Sequence, residues 1–531
     1  MQRPLGAQLS HMLKDRGVEV IFGIPGVHNQ EMYRGIEGSG LTHVLARHEQ
    51  GAGFMADGYA RATGRPGVCY VITGPGLCNI ITPMGQAYSD SVPMLVLSSC
   101  LDETSARRGQ LHQMKDQEGA ARTVCDWSET ARTADAAYAL IDRAFAEFAG
   151  ARPRPKHVSA PIALLQSTAP GAGPAPRFPE GPPALRALPD PRLIEQAAEA
   201  LAGAERPLIV FGGGAAAYSA EARRLIARSG AASFTTYAGR GLIPDETPGH
   251  FGAFLARPGS ATVFAAADLV VAIGTALSEV DLWRAHPGHN CPFIRIDIDP
   301  EELASLPAML RIAGDAGQAM AALAGALPSD RNPAWPEGEV AGFRDHWRAE
   351  IEAERPGILP VADALRSCLP SGTMIYSDMT QFAYAAKEVW PMDRPGHWHH
   401  PYGFGTLGYA LPAAIGGAIG RKGLPTLAIA GDYGFQYSVQ ELAVAVELGL
   451  PLPIILWDNG KLGEIEQSMV AAQIAPNAVV QRNPDFLLLA QAYGAYAAAP
   501  RTLEEMTQAV QSAFAADGPT LIRITPDIAA G

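Results

Sequence analysis

Apolar residues fall along this chain in two alternating patterns. Short continuous apolar runs alternate with longer segments in which apolar residues recur every three or four positions. The first pattern predicts strands buried on both faces, and the second predicts amphipathic helices. Their alternation predicts parallel sheets wrapped by helices. In the first third of the chain the predicted strands are Val18–Phe22, Thr42–Ala46, Gly67–Ile72 and Met94–Ser98, with a helix opening near Glu49. In the middle third they are Pro207–Phe211, Leu269–Ile273 and Phe293–Ile298. In the last third they are Thr373–Ser377, Leu424–Ala430 and Pro453–Leu456, with a helix over Phe435–Leu450 between the last two.

Two stretches interrupt the pattern. Thr168–Pro191 is dense in Pro, Gly and Ala, and Leu327–Gly338 carries Pro328, Pro333 and Pro336. Such composition disfavours both helix and central strand, so both read as linkers. They leave three pieces, 1–167, 190–326 and 357–531, each predicted as a doubly wound α/β domain, with residues 339–356 as a charged helix leading into the last. The first and third pieces share one layout. A length of 531 residues accommodates three domains at roughly 150–200 residues each.

Composition narrows the class. The 47% apolar content supports sizeable cores, and the net charge of −13 is spread along the chain, which argues against nucleic acid as a main partner. No apolar run approaches the ~20 residues of a membrane span, and the amino terminus lacks the apolar core of a signal peptide. The six cysteines form no CxxC pair and read as reduced packing residues of a cytoplasmic protein.

The candidate chemistry sits at predicted strand ends. Asp432 and Asn459 each end a strand, 27 positions apart, with a helix between them. Two oxygen ligands so placed suit a hard cation such as Mg²⁺, which keeps phosphate oxygens and water in its other positions. A diphosphate could also use the free N–H groups where the helix starts after Gly434. Glu49, in Arg47-His48-Glu49-Gln50, follows a strand and opens a helix, at the edge where ligands of open α/β sheets bind. Taken alone it equally suits the helix dipole. Thr73-Gly74-Pro75-Gly76, preceding Asn79, is either a turn that lets a ligand approach the backbone or a tight connection. His28, in the corresponding loop Pro25–Asn29, is either a general acid or base or a solvated loop residue. Gly403–Gly408 matches GxGxxG, but it follows no clear strand and lacks an acidic partner about twenty residues on. Trp398 and Pro401 favour a packed loop over a transition-metal site at His397, His399 and His400.

With these residues in hand, the chain resembles the thiamine diphosphate enzymes of the acetolactate synthase and 2-oxo acid decarboxylase group over essentially its full length. The likeness is carried by Gly23–Gly26, Arg47–Gln50 with Ala56–Arg61, Thr73–Gly76, Gly405–Pro412, Gly431-Asp432 and Asn459. It implies pyrimidine-binding, central and diphosphate-binding domains in that order. It implies Mg²⁺ held by Asp432, Asn459 and the Lys461 carbonyl. Leu407 would bend the cofactor, and Thr73, Gly76, Asn79, Gln381, Gly405, Gly431, Tyr433 and Gly434 would complete its binding site. Glu49 would hydrogen-bond the aminopyrimidine ring of the cofactor, which acts as the electron sink when a 2-oxo acid loses CO₂. The site would lie between two subunits, so a homodimer is the minimum and a tetramer is consistent. Val27, His28, His112, Gln113, Glu464 and Ile465 would face the substrate.

The departures from the group's pattern are informative. Tyr433 stands where a second glycine is usual, and Gly434 offers flexibility one position later. Ile72 stands where some decarboxylases carry an acid–base histidine. Leu111–Asp116 lacks a Phe-Gln-Glu segment, and Gly249–Ala253 departs from the flavin-binding stretch. FAD and housekeeping acetolactate synthesis are therefore not expected. Arg47–Tyr59, Gly403–Gly408 and Leu462–Ile465 are similar to the 5-guanidino-2-oxopentanoate decarboxylases. That substrate needs a carboxylate for its guanidinium, and Glu464 or Glu466 could serve. A non-oxidative decarboxylase is expected; an acetolactate synthase-like carboligase, a catalytically silent scaffold (motivated by Tyr433) and an NAD-binding dehydrogenase are the alternatives.

Overall fold

The computed structural model describes residues 2–102, 108–174, 187–480 and 482–530. The middle of the first linker lies outside them. The chain forms two compact units, one of residues 1–184, 368–380 and 400–528, the other of residues 185–367, 381–399 and 529–531.

The first unit holds two parallel sheets. In the amino-terminal sheet the strand order is Thr42–Leu45, Val20–Gly23, Gly67–Val71, Met94–Cys100, Lys156–Pro161, Trp127–Thr130. The four predicted strands are present. Lys156–Pro161 and Trp127–Thr130 were not predicted, because His157, Ser128 and Ser159 break the apolar pattern. Buried hydrogen bonds satisfy these residues instead, with Ser98 Oγ 2.8 Å from His157 Nε2 and Ser128 Oγ 2.7 Å from its Nδ1. The chain leaves Val20–Gly23 toward one side and later continues on the other, so the sheet changes direction between Val20–Gly23 and Gly67–Val71. A parallel sheet opens a crevice at the carboxyl ends of two such strands. The loops 24–29 and 72–76 flank that crevice.

The second sheet of this unit contains Met374–Ser377, Thr426–Gly431, Pro453–Trp457, Thr520–Ile524 and Tyr496–Ala498, in that spatial order and parallel throughout. Gly431 pairs with Trp457, so Asp432 and Asn459 leave neighbouring strand ends. The predicted single helix over Phe435–Leu450 is corrected. It begins at Asp432 and breaks into Asp432–Tyr437, a turn of 3₁₀ helix at Val439–Glu441, and Leu442–Glu447. The break falls at Ser438, a poor helix former that competes for backbone groups.

Helix Glu49–Thr63 packs on helix Ala410–Gly420 through small residues. A Cβ at Gly58 would collide with the Ala413 carbonyl, and one at Gly416 with that of Met55. Glycine at both positions allows backbone contact, and Phe54 meets Tyr409 edge-on at 5.5 Å.

The second unit carries a six-stranded parallel sheet, ordered His250–Gly252, Ala232–Thr235, Pro207–Phe211, Leu269–Ile273, Phe293–Asp297, Leu310–Ala313. Helix Glu337–Glu354, two residues earlier than predicted, buries Trp347 against Phe251 and Phe254. Three doubly wound sheets are thus observed, as expected. Among the described residues no helix is long and apolar enough to cross a membrane. No disulfide joins any of the six cysteines; Cys69 and Cys125 are buried, but Cys78 is exposed rather than packed.

Candidate active site

The first cluster lies at the crevice of the amino-terminal sheet. Helix Glu49–Thr63 starts where predicted, with His48 as its cap accepting a hydrogen bond from the Gln50 N–H at 3.1 Å. Glu49 is only 8% exposed. Asn79 Nδ2 donates to its Oε2 at 2.8 Å, while its Oε1 lies 3.3 Å from where a Cβ at Gly76 would sit. A side chain at position 76 would also press on Ile72 at 2.8 Å. Glu49, Gly76 and Asn79, named separately from the sequence, therefore form one construction: a buried carboxylate, one oxygen held, the other facing a glycine cradle. That donor set fits an aminopyrimidine ring, and thiamine diphosphate presents one.

Thr73 differs from the simple expectation. Its hydroxyl is 2.9 Å from Ser99 Oγ, which also accepts from the Thr73 N–H. The turn is locked from below by Gln117, whose Oε1 accepts from the Gly74 N–H at 3.0 Å and whose Nε2 donates to the Ser99 carbonyl at 2.8 Å. Gln117 was not singled out from the sequence. Only its distance from a turn 43 residues away reveals it, and no local motif encodes that. Gly74 adopts φ +71°, and a Cβ there would meet the His112 carbonyl. Glycine is required at 74 on both counts. A cavity of about 430 Å³ opens beside this turn, lined by Thr73, Cys100, Gln113, Gln117, Thr130 and Ser159.

His28 and His112 meet at this edge with ring centroids 5.0 Å apart. Burial, and secondarily His112, hold the His28 imidazole below its usual range. Val27 beside it is 62% exposed.

The second cluster surrounds Asp432, which is buried. Its Oδ1 accepts from the Tyr433 N–H at 3.0 Å and its Oδ2 from Asn483 Nδ2 at 2.6 Å. The Gly460 N–H also bonds this carboxylate, which ties Asp432 to the Asn459–Lys461 loop. Asn459 Oδ1 accepts from the Lys461 N–H at 3.2 Å. Burial pushes the Asp432 carboxyl above the usual carboxylate range, and Asp458 adds to that; Asn483 opposes it. A cation at this position would reverse the burial effect, so the oxygen donors of Asp432, Asn459 and the Lys461 carbonyl fit a hard divalent ion. Asn483 was also missed from the sequence. It bridges Asp432 and Asp458 from a loop 51 residues beyond the strand end.

Two expectations about this loop are corrected. Gly434 does not supply flexibility, since it has no left-handed φ. It is needed for space: a Cβ there would lie 2.6 Å from Asp378 Oδ2. Tyr433 likewise has ordinary backbone geometry, so losing glycine there imposes no strain, and the scaffold reading loses its motive. Asp378, not singled out from the sequence, accepts from the Met379 and Gly408 N–H groups at 2.9 Å each. It thereby holds the Gly405–Gly408 turn that carries Leu407. Burial pushes its carboxyl up to about 6. The Gly403–Gly408 stretch is a turn joined to Asp90 and Asp378; it follows a strand of just two residues, Trp398–His399, where a dinucleotide fingerprint needs a full βαβ strand.

Glu464 and Ile465 lie on helix Gly463–Ala471, with Ile465 50% exposed. Glu466 is engaged by Lys461 Nζ, which makes it a poor guanidinium partner. Gln381 opens helix Gln381–Val389 in the second unit. Among the described residues no hydrogen bond or ion pair links Glu49 to Asp432. Glu441 reaches the start of the Glu49 helix, where its carboxylate accepts from the Arg47 N–H at 3.2 and 3.1 Å.

Comparison with known proteins assigns these clusters to one family. The thiamine pyrophosphate enzyme models match along the chain: the N-terminal TPP binding domain at residues 3–120, the central domain at 194–323 and the C-terminal TPP binding domain at 378–524. The chain is 42% identical over 530 residues to a Pseudomonas aeruginosa protein named "Probable 2-ketoarginine decarboxylase AruI", covering 98% of this chain and 93% of that one. The chain belongs to the thiamine pyrophosphate enzyme family. It is also 28% identical to the Escherichia coli acetolactate synthase isozyme 2 large subunit over 98% of this chain and 95% of the relative. To the acetolactate synthase of Mycobacterium bovis it is 30% identical over 100% and 91%. The expected thiamine diphosphate-dependent enzyme is borne out, and the Glu49 and Asp432 clusters fall in the two TPP binding domains.

Proposed function

We propose that this enzyme is a Mg²⁺-dependent, non-oxidative decarboxylase of a 2-oxo acid bearing a guanidinium tail, with 5-guanidino-2-oxopentanoate as the first candidate. The observation that carries the reading is the buried Glu49 carboxylate, held by Asn79 against the Gly76 cradle. The name of the 42% identical relative supports the substrate, since 2-ketoarginine is 5-guanidino-2-oxopentanoate. Bound thiamine diphosphate supplies a nucleophilic carbon and then an electron sink. Glu49 would hold a proton at the cofactor's ring nitrogen. Asp432, Asn459 and the Lys461 carbonyl would hold Mg²⁺ against the diphosphate, with Gly431, Tyr433 and Gly434 beside it. Leu407 and Gly405 would support the cofactor's bend on the turn that Asp378 fixes, and Gln381 would contribute a polar group. Glu464, in the first turn of helix Gly463–Ala471, is the carboxylate offered to the guanidinium, and Val27, Gln113 and Ile465 line the substrate's path. FAD has no place in this reading.

The working unit is a homodimer or a tetramer of the cytoplasm. Exposed Ile465, Val470 and Ile474 support pairing with a second copy, because such a cluster is costly to leave in water. Six cysteines without a disulfide support a reducing compartment. The test is a panel of 2-oxo acids, with CO₂ and aldehyde quantified. Release of both from the guanidino substrate, with pyruvate a poor substrate, is the expected result. Acetolactate as the main product from pyruvate would favour the carboligase, a reading to which the near-full-length likeness to acetolactate synthases lends weight.

A further inference from the structure

We infer that the small cavity beside Arg240 is a binding site for a short-chain monocarboxylate of acetate to propionate size. The site lies wholly within the second unit and does not depend on the decarboxylase reading.

Arg240 follows the 3₁₀ turn Tyr237–Gly239, which continues from strand Ala232–Thr235, and is only 6% exposed. A buried guanidinium is costly unless its charge is paired and its N–H groups are bonded. Two of its nitrogens are bonded. Nε donates to the Tyr237 carbonyl at 3.3 Å and Nη1 to the Lys387 carbonyl at 2.5 Å. The guanidinium carbon stands 4.9 Å from the centre of the Trp398 ring, which holds the group from one face. The third nitrogen, Nη2, is buried and has no partner among the described residues. The side chain is thus fixed in place with one donor corner left open.

The carboxylates around Arg240 are committed elsewhere. Glu388 gives both oxygens to Arg257, at 2.6 and 3.0 Å. Asp245 accepts from the Met392 N–H and lies 3.9 Å from Arg344 Nη2. Burial pushes its carboxyl above the usual range, and the charges of Arg344 and Arg240 only oppose this. Arg348 is paired with Asp363, and Asp345 is exposed. His250 is kept neutral by burial and brings no charge. Lys387 adds to the positive side. Burial holds its ammonium down, to about 8, with Glu388 opposing and Arg240 assisting. Among the described residues, then, no ion pair compensates Arg240.

The cavity measures about 100 Å³, and Arg240, Arg344 and Asp245 share its lining with Ala253, Phe254 and Met392. One water needs only ~10–15 Å³, so a ligand of about four or five non-hydrogen atoms fits. Water could bond Nη2 but brings no charge. A bare inorganic anion brings charge but nothing for the apolar lining. A short carboxylate supplies both: an oxygen accepts from Nη2, and a tail of one or two carbons lies among the apolar side chains.

The test is calorimetric titration of the full chain with acetate, propionate, bicarbonate, chloride and sulfate at one ionic strength. Acetate and propionate should bind at one site per chain, with the inorganic anions weaker by about 10-fold or more. Both carboxylates should raise the Tm of the wild type. Arg240→Met should lose the binding and the rise in Tm. Ala253→Val narrows the cavity on its apolar side and leaves the guanidinium in place. It should weaken binding about 10-fold or more, and it decides the matter if Arg240→Met fails to fold. Glu49→Gln should bind both carboxylates as the wild type does. Binding that survives Arg240→Met or Ala253→Val, that disappears in Glu49→Gln, or that chloride matches would overturn the site. Absence of carboxylate binding, by heat and by Tm, would leave the cavity to water and overturn it as well.

Discussion

Glu441→Gln should stabilise the protein at pH 8 and not at pH 5. Glu441 is fully buried against the start of the Glu49 helix. A Cβ at Gly51 would overlap its carboxylate, and no water layer separates the two. Burial pushes its carboxyl from an ordinary 4.5 up to about 7; the N–H groups of Arg47 and His48 oppose this, and Glu49 adds to it. The folded state thus binds this proton more tightly than the unfolded chain. Between about pH 4.5 and 7 the folded protein carries more protons, so stability falls as pH rises. The contribution is complete below the unfolded value and lost once pH passes the folded one. At ~1.4 kcal/mol per factor of ten in proton affinity, the gap corresponds to roughly 3 kcal/mol. Glutamine keeps an acceptor for the Arg47 N–H and removes the charge. Urea unfolding of cofactor-free protein at pH 5 and pH 8 measures the difference. The variant should gain on the wild type by up to roughly 3 kcal/mol between the two conditions. Parallel behaviour at both pH values would show that Glu441 does not titrate in this window, and the burial argument would fail.

Further outcomes follow from the two clusters. Glu49→Gln should leave folding intact by circular dichroism yet lower turnover about 10²–10⁴-fold, measured as CO₂ release at saturating cofactor. Gly74→Ala, which needs left-handed backbone and meets the His112 carbonyl, should cost about 1–3 kcal/mol in denaturant unfolding. Asn483→Ala removes the donor that holds Asp432 ionised. Its half-saturating Mg²⁺ concentration should rise about 10-fold or more in calorimetric titration with thiamine diphosphate, and more steeply as pH falls.

Much of this was legible before any coordinates, and the reason is local. Buried parallel strands must be apolar runs, so Pro207–Phe211 and Leu269–Ile273 were read to the residue. Strands carrying buried polar groups escaped. Ser128, His157 and Ser159 satisfy one another only once the sheet has formed. The helix after Asp432 was read as continuous because apolar periodicity persists across Ser438, where the backbone turns.

The residue types at the strand ends belong to the sequence: Glu49 at a helix start, the Thr73–Gly76 turn, Asp432 and Asn459 at neighbouring edges. Their chemistry follows from the side chains, and their place follows from the alternation of strand and helix. Gln117, Asp378, Glu441 and Asn483 belong to the tertiary structure. Each acts on backbone or carboxylate groups far away in the chain, and nothing local distinguishes it from an ordinary polar residue. The same holds for the two histidines. His28 alone was an ambiguous loop residue; contact with His112 across 84 positions turned it into half of a pair.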